Sequence, residues 1–180
     1  MKTILIFVSS LDGKITKWGD PKIRSWSSVS DQNYFDATWN SNKVILMGSG
    51  TYDPAPLKAD PMHLFIVLTR QPEKYEKHAV PGLLEFTSEP PVAVLNRFKN
   101  EGEKTILVVG GAKVATLFLR EQLIDELWLT IEPKIFGLGS GFVTEEKLDI
   151  ELSLISCTKA NAQGTLLTKY KVIHGDRNIK

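Results

Sequence analysis

The amino-acid sequence predicts an α/β domain built on a mixed, mostly parallel β-sheet that ends in an antiparallel hairpin. Short apolar runs rich in β-branched residues alternate along the chain with segments of helical spacing. Such continuous runs are typical of strands buried on both faces. Near the C-terminus the pattern becomes a regular alternation of apolar and polar residues, which is typical of antiparallel strands.

Five apolar runs are predicted as the buried strands, because each is short and bounded by polar or glycine-containing segments. Alternation with helices favours parallel pairing, since parallel strands need a crossover connection between them. The five runs are residues 4–8, 44–47, 64–68, 106–109 and 127–131.

Three helices are predicted between these strands from apolar residues three or four positions apart. Ser28 or Ser30 could cap the first helix. Gly102 lies just past the second, where a helix commonly ends. The helices are residues 31–39, residues 91–99 and the segment with Val114, Leu117 and Phe118.

The hairpin is predicted from residues 150–156 and 166–173, with a turn at residues 161–164. Cys157 follows the first of these segments and is predicted to be a core residue rather than a reactive one. The sequence has no internal repeat and no linker, so residues 1–180 are predicted to form a single domain.

Composition argues against several classes of function. The chain has 22 Lys and Arg against 21 Asp and Glu, and this balance gives no broad field for nucleic acid or an anionic membrane. Cys157 is the only cysteine and the histidines are scattered, so we predict neither a disulfide nor a metal site. No stretch approaches the roughly 20 apolar residues of a membrane span. We expect a cytoplasmic protein.

The strongest functional signal is a predicted strand that runs into Gly110 and Gly111 and then opens a helix (TILVVGGAKV, residues 105–114). Glycines allow a phosphate to approach the backbone, and free N–H groups at a helix start attract negative charge. The pyrophosphate of a dinucleotide would suit this turn. A tight strand-to-helix turn explains the glycine pair equally well, because the pair is less specific than GxGxxG.

Two further strand ends carry residues suited to phosphate. Ligands bind at the carboxyl ends of strands in open α/β sheets. Arg70 could pair with the 2′-phosphate that distinguishes NADP from NAD. The predicted cofactor contacts are Gly48, Ser49, Thr51, Thr69, Arg70, Gln71, Gly110, Gly111, Ala112, Lys113 and Val114.

Asp31 and Trp26 are the candidates on the substrate side. Asp31 lies in the first turn of a predicted helix, where a carboxylate also interacts favourably with the helix dipole. Its functional alternative is to hydrogen-bond a flat heterocycle and help deliver a proton as hydride arrives. Trp18 and Trp26 could stack on a flat ring or cover the edge of a core.

Several motifs, in this order, resemble the dihydrofolate-reductase-like superfamily, and most closely the reductase domain of the riboflavin-biosynthesis deaminase/reductases, the RibD C-terminal type. The resemblance spans nearly the whole chain. Segments VILMGSGTY (44–52) and IVLTRQ (66–71) also resemble dihydrofolate reductase itself. The family motifs are SLDGKI (10–15), VGG (109–111), LIDEL (123–127) and PKIFG (133–137).

The resemblance implies a three-layer α/β/α fold, NADPH as cofactor, a homodimer, and hydride transfer to a pteridine- or pyrimidine-like compound. The family's activity is that of a 5-amino-6-(5-phosphoribosylamino)uracil reductase. The resemblance also implies that Asp31 is the carboxylate that meets the substrate, and so the catalytic residue. Trp26 and Leu57 are the further substrate contacts that it suggests.

The positions that hold the ribose phosphate in that family differ here. If Trp26 is the family's loop tryptophan, Arg24 stands where a serine is expected, and the helix arginine falls at about Trp39. Leu57 is followed by Lys58, Ala59 and Asp60 without an arginine, and Val109 stands where a glutamate is expected. Each lost arginine contact weakens phosphate binding by roughly 1.5–3 kcal/mol.

We therefore predict an NADPH-dependent reductase of a small heterocycle in which the cofactor site is retained and the phosphoribosyl site is altered. The alternative is a non-catalytic NADP-binding dimer or redox sensor that lacks a competent substrate pocket.

Overall fold

A computed structural model of the protein describes residues 1–175, which form one eight-stranded sheet flanked by helices. The strands are β1 (Lys2–Ser10), β2 (Val44–Gly48), β3 (Leu64–Leu68), β4 (Leu84–Thr87), β5 (Thr105–Val108), β6 (Glu126–Glu132), β7 (Glu151–Lys159) and β8 (Leu166–Ile173). The α-helices are α1 (Val29–Asn40), α2 (Ser49–Tyr52), α3 (Pro91–Asn100) and α4 (Ala112–Arg120), and 3-10 helices cover Ile23–Ser25 and Pro72–Tyr75.

The strands follow the order β4-β3-β2-β5-β1-β6-β8-β7 across the sheet. The pairs from β4 to β6 are parallel, whereas β8 pairs antiparallel with both β6 and β7. The predicted mixed sheet with a C-terminal hairpin is thus confirmed. All five predicted runs are strands, but β6 is only partly buried, since Trp128, Leu129 and Ile131 are half-buried. The carboxyl ends of β1, β2, β3 and β5 meet at one edge of the sheet.

Strand β4 was not predicted from the sequence. Its four residues include Glu85 and Thr87, and it lies at the end of the sheet with three of its residues only half-buried. An edge strand of this kind has no continuous apolar run, so its pattern is too weak to identify.

The core has one layer on each face of the sheet. Alternate residues of β1 point to opposite faces, so Leu5 and Phe7 pack with α3 and α4, while Ile4 and Ile6 pack on the side of α1. This arrangement gives the three layers that the sequence implied. Within residues 1–175, no helix is both long and apolar enough to span a bilayer.

Helix α1 begins at Val29, two residues before the predicted start. Ser28 is the N-cap, and its hydroxyl oxygen accepts a hydrogen bond from the Asp31 N–H at 3.2 Å. Of the two candidate serines, Ser28 is therefore the cap. The cap fixes Asp31 in the first turn of the helix, on the face that meets the sheet.

Cys157 corrects one sequence prediction. Every residue of β7 is exposed, Cys157 included, because β7 is the outermost strand and pairs only with β8. Alternating apolar and polar residues predicted the strand, but they could not predict that neither of its faces would be covered.

Candidate active site

A cleft of about 1700 Å³ opens at the carboxyl ends of β1, β2, β3 and β5. We call its two sides the glycine half and the helix half. The glycine half comprises residues 48–51, 68–70 and 109–114, and the helix half comprises residues 21–25 together with Asp31, Phe35, Trp39 and Leu57. This is the edge at which the sequence predicts ligand binding.

In the glycine half, the glycines at and after the ends of β2 and β5 pack closely against the side chains of α4 and α2. The Gly48 N–H donates to the Gly110 carbonyl at 3.1 Å. A Cβ on Gly48 would lie 2.8 Å from Val114 Cγ2, and one on Gly111 would lie 3.1 Å from Thr51 Oγ1. Gly110 has a φ of +112°, and its peptide bond to Gly111 is cis. Glycine is therefore required here by space and by conformation.

The start of α4 faces the cleft beside this turn. Gly111 is its N-cap, and Ala112, Lys113 and Val114 line the cleft. The first N–H groups of a helix have no acceptor within the helix, and the helix dipole adds partial positive charge there. This end of the cleft can hold an anionic group such as a phosphate.

The end of β3 supplies a cation. Thr69 and Arg70 line the cleft, and Arg70 is exposed. Gln71 lies outside the lining; its N–H donates to the Thr69 hydroxyl at 3.2 Å, and it precedes the 3-10 helix Pro72–Tyr75. Gly110 also lies outside the lining, although its carbonyl joins β5 to β2.

Asp31 is the carboxyl group of the helix half. It is 5 % exposed, and it lines the cleft. Burial raises its pKa above the ordinary value, and the negative charge of Glu132 acts in the same direction. The hydroxyls of Thr130 and Ser27 and the charge of Arg24 oppose the rise. Asp31 therefore keeps its proton at a higher pH than an exposed aspartate does.

Glu132, behind Asp31, was not identified from the sequence. It is 1 % exposed and accepts hydrogen bonds from the Ser28 N–H at 2.7 Å and the Thr165 hydroxyl at 2.8 Å. It thereby ties the start of α1 to the end of β6 and the start of β8. A single acidic residue between an apolar run and Pro133 gives no signal of burial in the sequence.

The far end of the helix half is apolar. Phe35, Trp39 and Leu57 line the cleft, and the rings of Phe35 and Trp39 lie 5.6 Å apart between centroids. Leu57 therefore lines the cleft, and its contact with a substrate stays a prediction.

Trp26 lies elsewhere, and the prediction that it contacts substrate needs correction. Its side chain is 4 % exposed, lies outside the cleft lining and packs edge-on against Phe136 at 5.0 Å between ring centroids. Its carbonyl accepts a hydrogen bond from Lys134. Trp26 could have stacked on a flat ring or covered the edge of the core. The structure shows the second, because the loop around Phe136 folds over the Trp26 side chain.

The loop after β1, which the sequence could not place, forms a third wall of the cleft. Asp12 accepts hydrogen bonds from the Ser10 hydroxyl and from the Phe136 and Gly137 N–H groups at 2.6, 3.1 and 2.8 Å. These bonds, with that from Ser10 the strongest, lower the pKa of Asp12 to about 2. The loop therefore follows residues 134–141, and Ile15 lines the cleft.

Most of the predicted site residues thus meet in one cleft. Across residues 1–175, no cluster of acidic, histidine or cysteine side chains could hold a metal ion. Trp26, Gln71 and Gly110 lie outside the lining. The predicted residues that line it are Asp31, Gly48, Ser49, Thr51, Leu57, Thr69, Arg70, Gly111, Ala112, Lys113 and Val114.

Comparison with known proteins agrees with this geometry. A family model described as the RibD C-terminal domain matches residues 1–166. The uncharacterized protein YwjB of Bacillus subtilis is 30% identical over 148 residues, which cover 77% of this chain and 80% of that protein. A putative dihydrofolate reductase of Caenorhabditis elegans is 31% identical over 143 residues, covering 72% and 70%.

Two solved structures show the same fold. A pyrimidine reductase-like protein from Corynebacterium diphtheriae has a TM-score of 0.78 at 16% identity, covering 97% of this chain and 92% of that one. Dihydrofolate reductase from Enterococcus faecalis, solved with NADP(H), has a TM-score of 0.64 at 19% identity, covering 96% and 97%. The predicted dihydrofolate-reductase-like fold is confirmed.

Proposed function

This chain belongs to the family of RibD C-terminal domains and is an NAD(P)H-dependent oxidoreductase, and from this premise we propose that it transfers a hydride from NADPH to a small pteridine- or pyrimidine-like ring. One observation supports the proposal most. The buried carboxyl group of Asp31 opens into the same cleft as the glycine turn and the start of α4. A carboxyl group that can hold a proton and a helix start that can bind an anion therefore face the same cleft.

The residues of the glycine half fit a dinucleotide. Gly48 and Gly111 line the cleft and carry no side chain, so a phosphate can approach their backbone. We propose that the first N–H groups of α4 hold the pyrophosphate and that Arg70 pairs with the 2′-phosphate. The nicotinamide of such a cofactor supplies the hydride.

Asp31 has the chemistry that the substrate side of this reaction requires. Reduction of a C=N bond adds hydride to carbon and a proton to nitrogen. The raised pKa of Asp31 lets it keep its proton at a higher pH than an exposed aspartate does, and its place in the cleft allows a hydrogen bond to a ring nitrogen. We propose that Asp31 is the catalytic residue that orients the ring and holds this proton.

The proposal also includes an altered phosphoribosyl site. Trp39 stands where the family resemblance expects the helix arginine, and no arginine follows Leu57, where the second one is expected. Trp39 and Leu57 both line the helix half. We therefore propose the chemistry of the family with a different acceptor.

We further propose a cytoplasmic homodimer that pairs through β7. This strand is the outermost of the sheet, and all nine of its residues are exposed, with Leu154 at 56 %. An open strand edge with apolar side chains is a template for pairing with another chain. In the cytoplasm the exposed thiol of Cys157 would stay reduced.

The cofactor proposal is tested by thermal unfolding with and without nucleotide. A ligand that binds only the folded state at one hundred times its Kd stabilises it by about 2.7 kcal/mol. For a chain of this length, that raises Tm by roughly 5–11 °C, at about 2–4 °C per kcal/mol. NADPH should produce such a rise and NADH a smaller one. If neither nucleotide raises Tm, the proposal is wrong.

The hydride-transfer proposal is tested by loss of NADPH absorbance with a panel of oxidised pterins, pyrimidines and quinones. We expect oxidation with at least one nitrogen heterocycle. Tight NADPH binding without oxidation by any member of the panel would contradict the proposed acceptor class and favour a redox sensor.

A further inference from the structure

A buried chain of hydrogen bonds joins the β7–β8 hairpin to the start of α1. Asn161 in the hairpin turn contacts Thr165, which in turn contacts Glu132. Glu132 contacts Ser28, the N-cap of the helix. We propose that Glu132 is a positioning residue, which holds the Asp31 carboxyl group in place and, by its charge, in the protonated form. This inference rests on the proposed function, because it assigns the support of the carboxyl group in that site.

Strand β6 places two polar side chains under the first turn of α1. Thr130 and Glu132 are two residues apart, so their side chains point to the same face of the sheet. Both are 1 % exposed, and the Thr130 hydroxyl interacts with the Asp31 carboxyl group. Glu132 Oε1 accepts a hydrogen bond from the Ser28 N–H at 2.7 Å. The Ser28 hydroxyl oxygen accepts one from the Asp31 N–H at 3.2 Å, so Glu132 acts on Asp31 through the cap.

The hairpin turn holds the other oxygen of Glu132. Thr165 is fully buried, and its hydroxyl donates to Glu132 Oε2 at 2.8 Å. The side-chain amide of Asn161 donates to the same hydroxyl oxygen at 2.8 Å, which leaves the hydroxyl proton for Glu132. Asn161 is itself fixed, because its side-chain oxygen accepts the N–H groups of Gly164 and Thr165 at 3.0 and 3.1 Å. The Glu132 carboxylate is therefore held from two directions.

Charged and titratable side chains face Asp31 from three elements: Glu132 from β6, Tyr34 from α1, and Arg24 from the segment before α1. Burial is the main cause of the raised pKa of Asp31; the negative charge of Glu132 adds to it, whereas exposed Arg24 opposes it. Burial also raises the pKa of Tyr34 to about 12, so Tyr34 carries no charge near neutral pH. Because a like charge disfavours ionisation, Glu132 favours the protonated form of Asp31.

The inference is tested by an NMR titration of Asp31 in protein with isotope-labelled aspartate carboxyl carbons. The Asp31 resonance is the one that Asp31→Asn lacks. Glu132→Gln keeps the size of the side chain, and its amide can pair with the Ser28 N–H and the Thr165 hydroxyl, so the charge alone is lost. The Asp31 midpoint should move to lower pH by about 0.5–1 pH unit, since this charge is not the main cause of the raised pKa.

Glu126→Gln is the matched control for this titration. Glu126 is the first residue of β6, about 20 Å along the strand from Glu132. It accepts hydrogen bonds from Lys2 and Trp128 instead of from the start of α1. The same charge is lost from the same strand, but the Asp31 midpoint should stay where it is in the parent protein.

Thr165 tests the part of the inference that concerns position. Thr165→Val keeps the shape of the side chain but removes a donor to Glu132. The backbone N–H groups of Ser28 and Asp31 should then exchange with solvent about tenfold or more faster. Thr165→Ser keeps the hydroxyl and should exchange within a few-fold of the parent. The Tm of each variant shows that it is folded.

The pH profile of the reaction gives a third measurement. With an acceptor that supports NADPH oxidation, Glu132→Gln should match the single-turnover rate of the parent at the acidic end of the profile. At the alkaline end its rate should be roughly three- to tenfold lower, because less Asp31 keeps its proton. The Kd for NADPH should not change. A uniform loss of rate at every pH would show a purely structural role and overturn the inference.

Three further outcomes would overturn the role of Glu132. They are an unchanged Asp31 midpoint in Glu132→Gln, an equal shift in Glu126→Gln, and unchanged exchange of the Ser28 N–H in Thr165→Val. The titration and the exchange measurement need neither nucleotide nor substrate, so they are read independently of NADPH binding. Absence of a Tm rise with NADPH therefore overturns the proposed function, whereas an unchanged Asp31 midpoint overturns only the role of Glu132.

Discussion

The two halves of the cleft are built in different ways. The glycine half consists of backbone and short side chains at the ends of adjacent parallel strands, and close approach of Gly48, Gly110 and Gly111 gives it its shape. The helix half consists of large side chains on α1 and on the loop after α2. Backbone geometry recognises what all dinucleotides share, whereas side chains can change with the substrate. The same fold can therefore keep its cofactor and exchange its acceptor.

The largest expected effect comes from a substitution that impairs the function of the helix half alone. Asp31→Asn removes the proton but keeps the size of the side chain, so the rate of hydride transfer should fall by roughly 10²–10⁴-fold. NADPH affinity should not change, because we propose that the glycine half, and not Asp31, holds the cofactor. Single-turnover decay of NADPH absorbance measures the rate, and a nucleotide titration measures the affinity. A variant that reduces substrate as fast as the parent would remove the proposed role of Asp31.

The next largest effect is expected from a substitution that impairs the function of the glycine half alone. Arg70→Gln should weaken NADPH binding by roughly 10–100-fold, because a hydrogen bond to a charged group contributes about 1.5–3 kcal/mol. NADH, which lacks the 2′-phosphate, should bind as before. Arg120→Gln is the control, since Arg120 pairs with Glu146 and lies outside the cleft lining. Equal losses for both nucleotides would assign Arg70 a role other than phosphate recognition.

A smaller effect tests whether NADPH binding by the glycine half depends on its backbone conformation. Gly110→Ala places a Cβ 3.1 Å from the Phe7 ring at a φ of +112°, and a left-handed conformation costs a non-glycine residue about 1–2 kcal/mol. We expect a lower Tm and weaker NADPH binding. Gly82 also has a positive φ, of +74°, but a Cβ there would have no neighbour within 4 Å. Gly82→Ala should therefore lower Tm without weakening NADPH binding. Weaker NADPH binding in both variants would contradict a local effect.

The smallest effect concerns the stability of the helix half. The pKa of Asp31 is raised by folding, so the native state binds more protons than the unfolded state between the ordinary value, about 3.9, and the raised one. Stability should therefore fall as pH rises through this window. Asp31→Asn should lack this fall, so its Tm advantage over the parent should grow with pH and then level off.

Unfolding of both proteins from pH 4 to pH 8 measures that difference. Glu132→Gln keeps an acceptor for the Ser28 N–H but removes a charge that raises the pKa of Asp31. Glu132→Gln should therefore narrow the pH range over which stability falls. A Tm difference between parent and Asp31→Asn that does not depend on pH would show that Asp31 is not titrated by folding.

The sequence by itself determined every strand except β4, the three longer helices, two candidate caps for α1 and the glycine turn at residues 110–111. These features follow from local properties: the period of apolar residues, the hydrogen-bonding capacity of a serine, and the conformational freedom of glycine. Most of the cleft-lining residues at three strand ends could be named in advance because parallel strands bring their carboxyl ends to one edge. For Asp31 the sequence left two roles open, interaction with the helix dipole and contact with the substrate.

The tertiary structure decided which side chains are covered. Cys157 is exposed because β7 is outermost, Trp26 is buried because the loop near Phe136 folds over it, and Glu132 is buried because Ser28 and Thr165 satisfy its carboxylate. It also brought Phe35 and Trp39 of α1 into the same cleft as Leu57 of the loop after α2. Burial and pKa depend on neighbours that are distant in the chain, and no local pattern in the sequence records them.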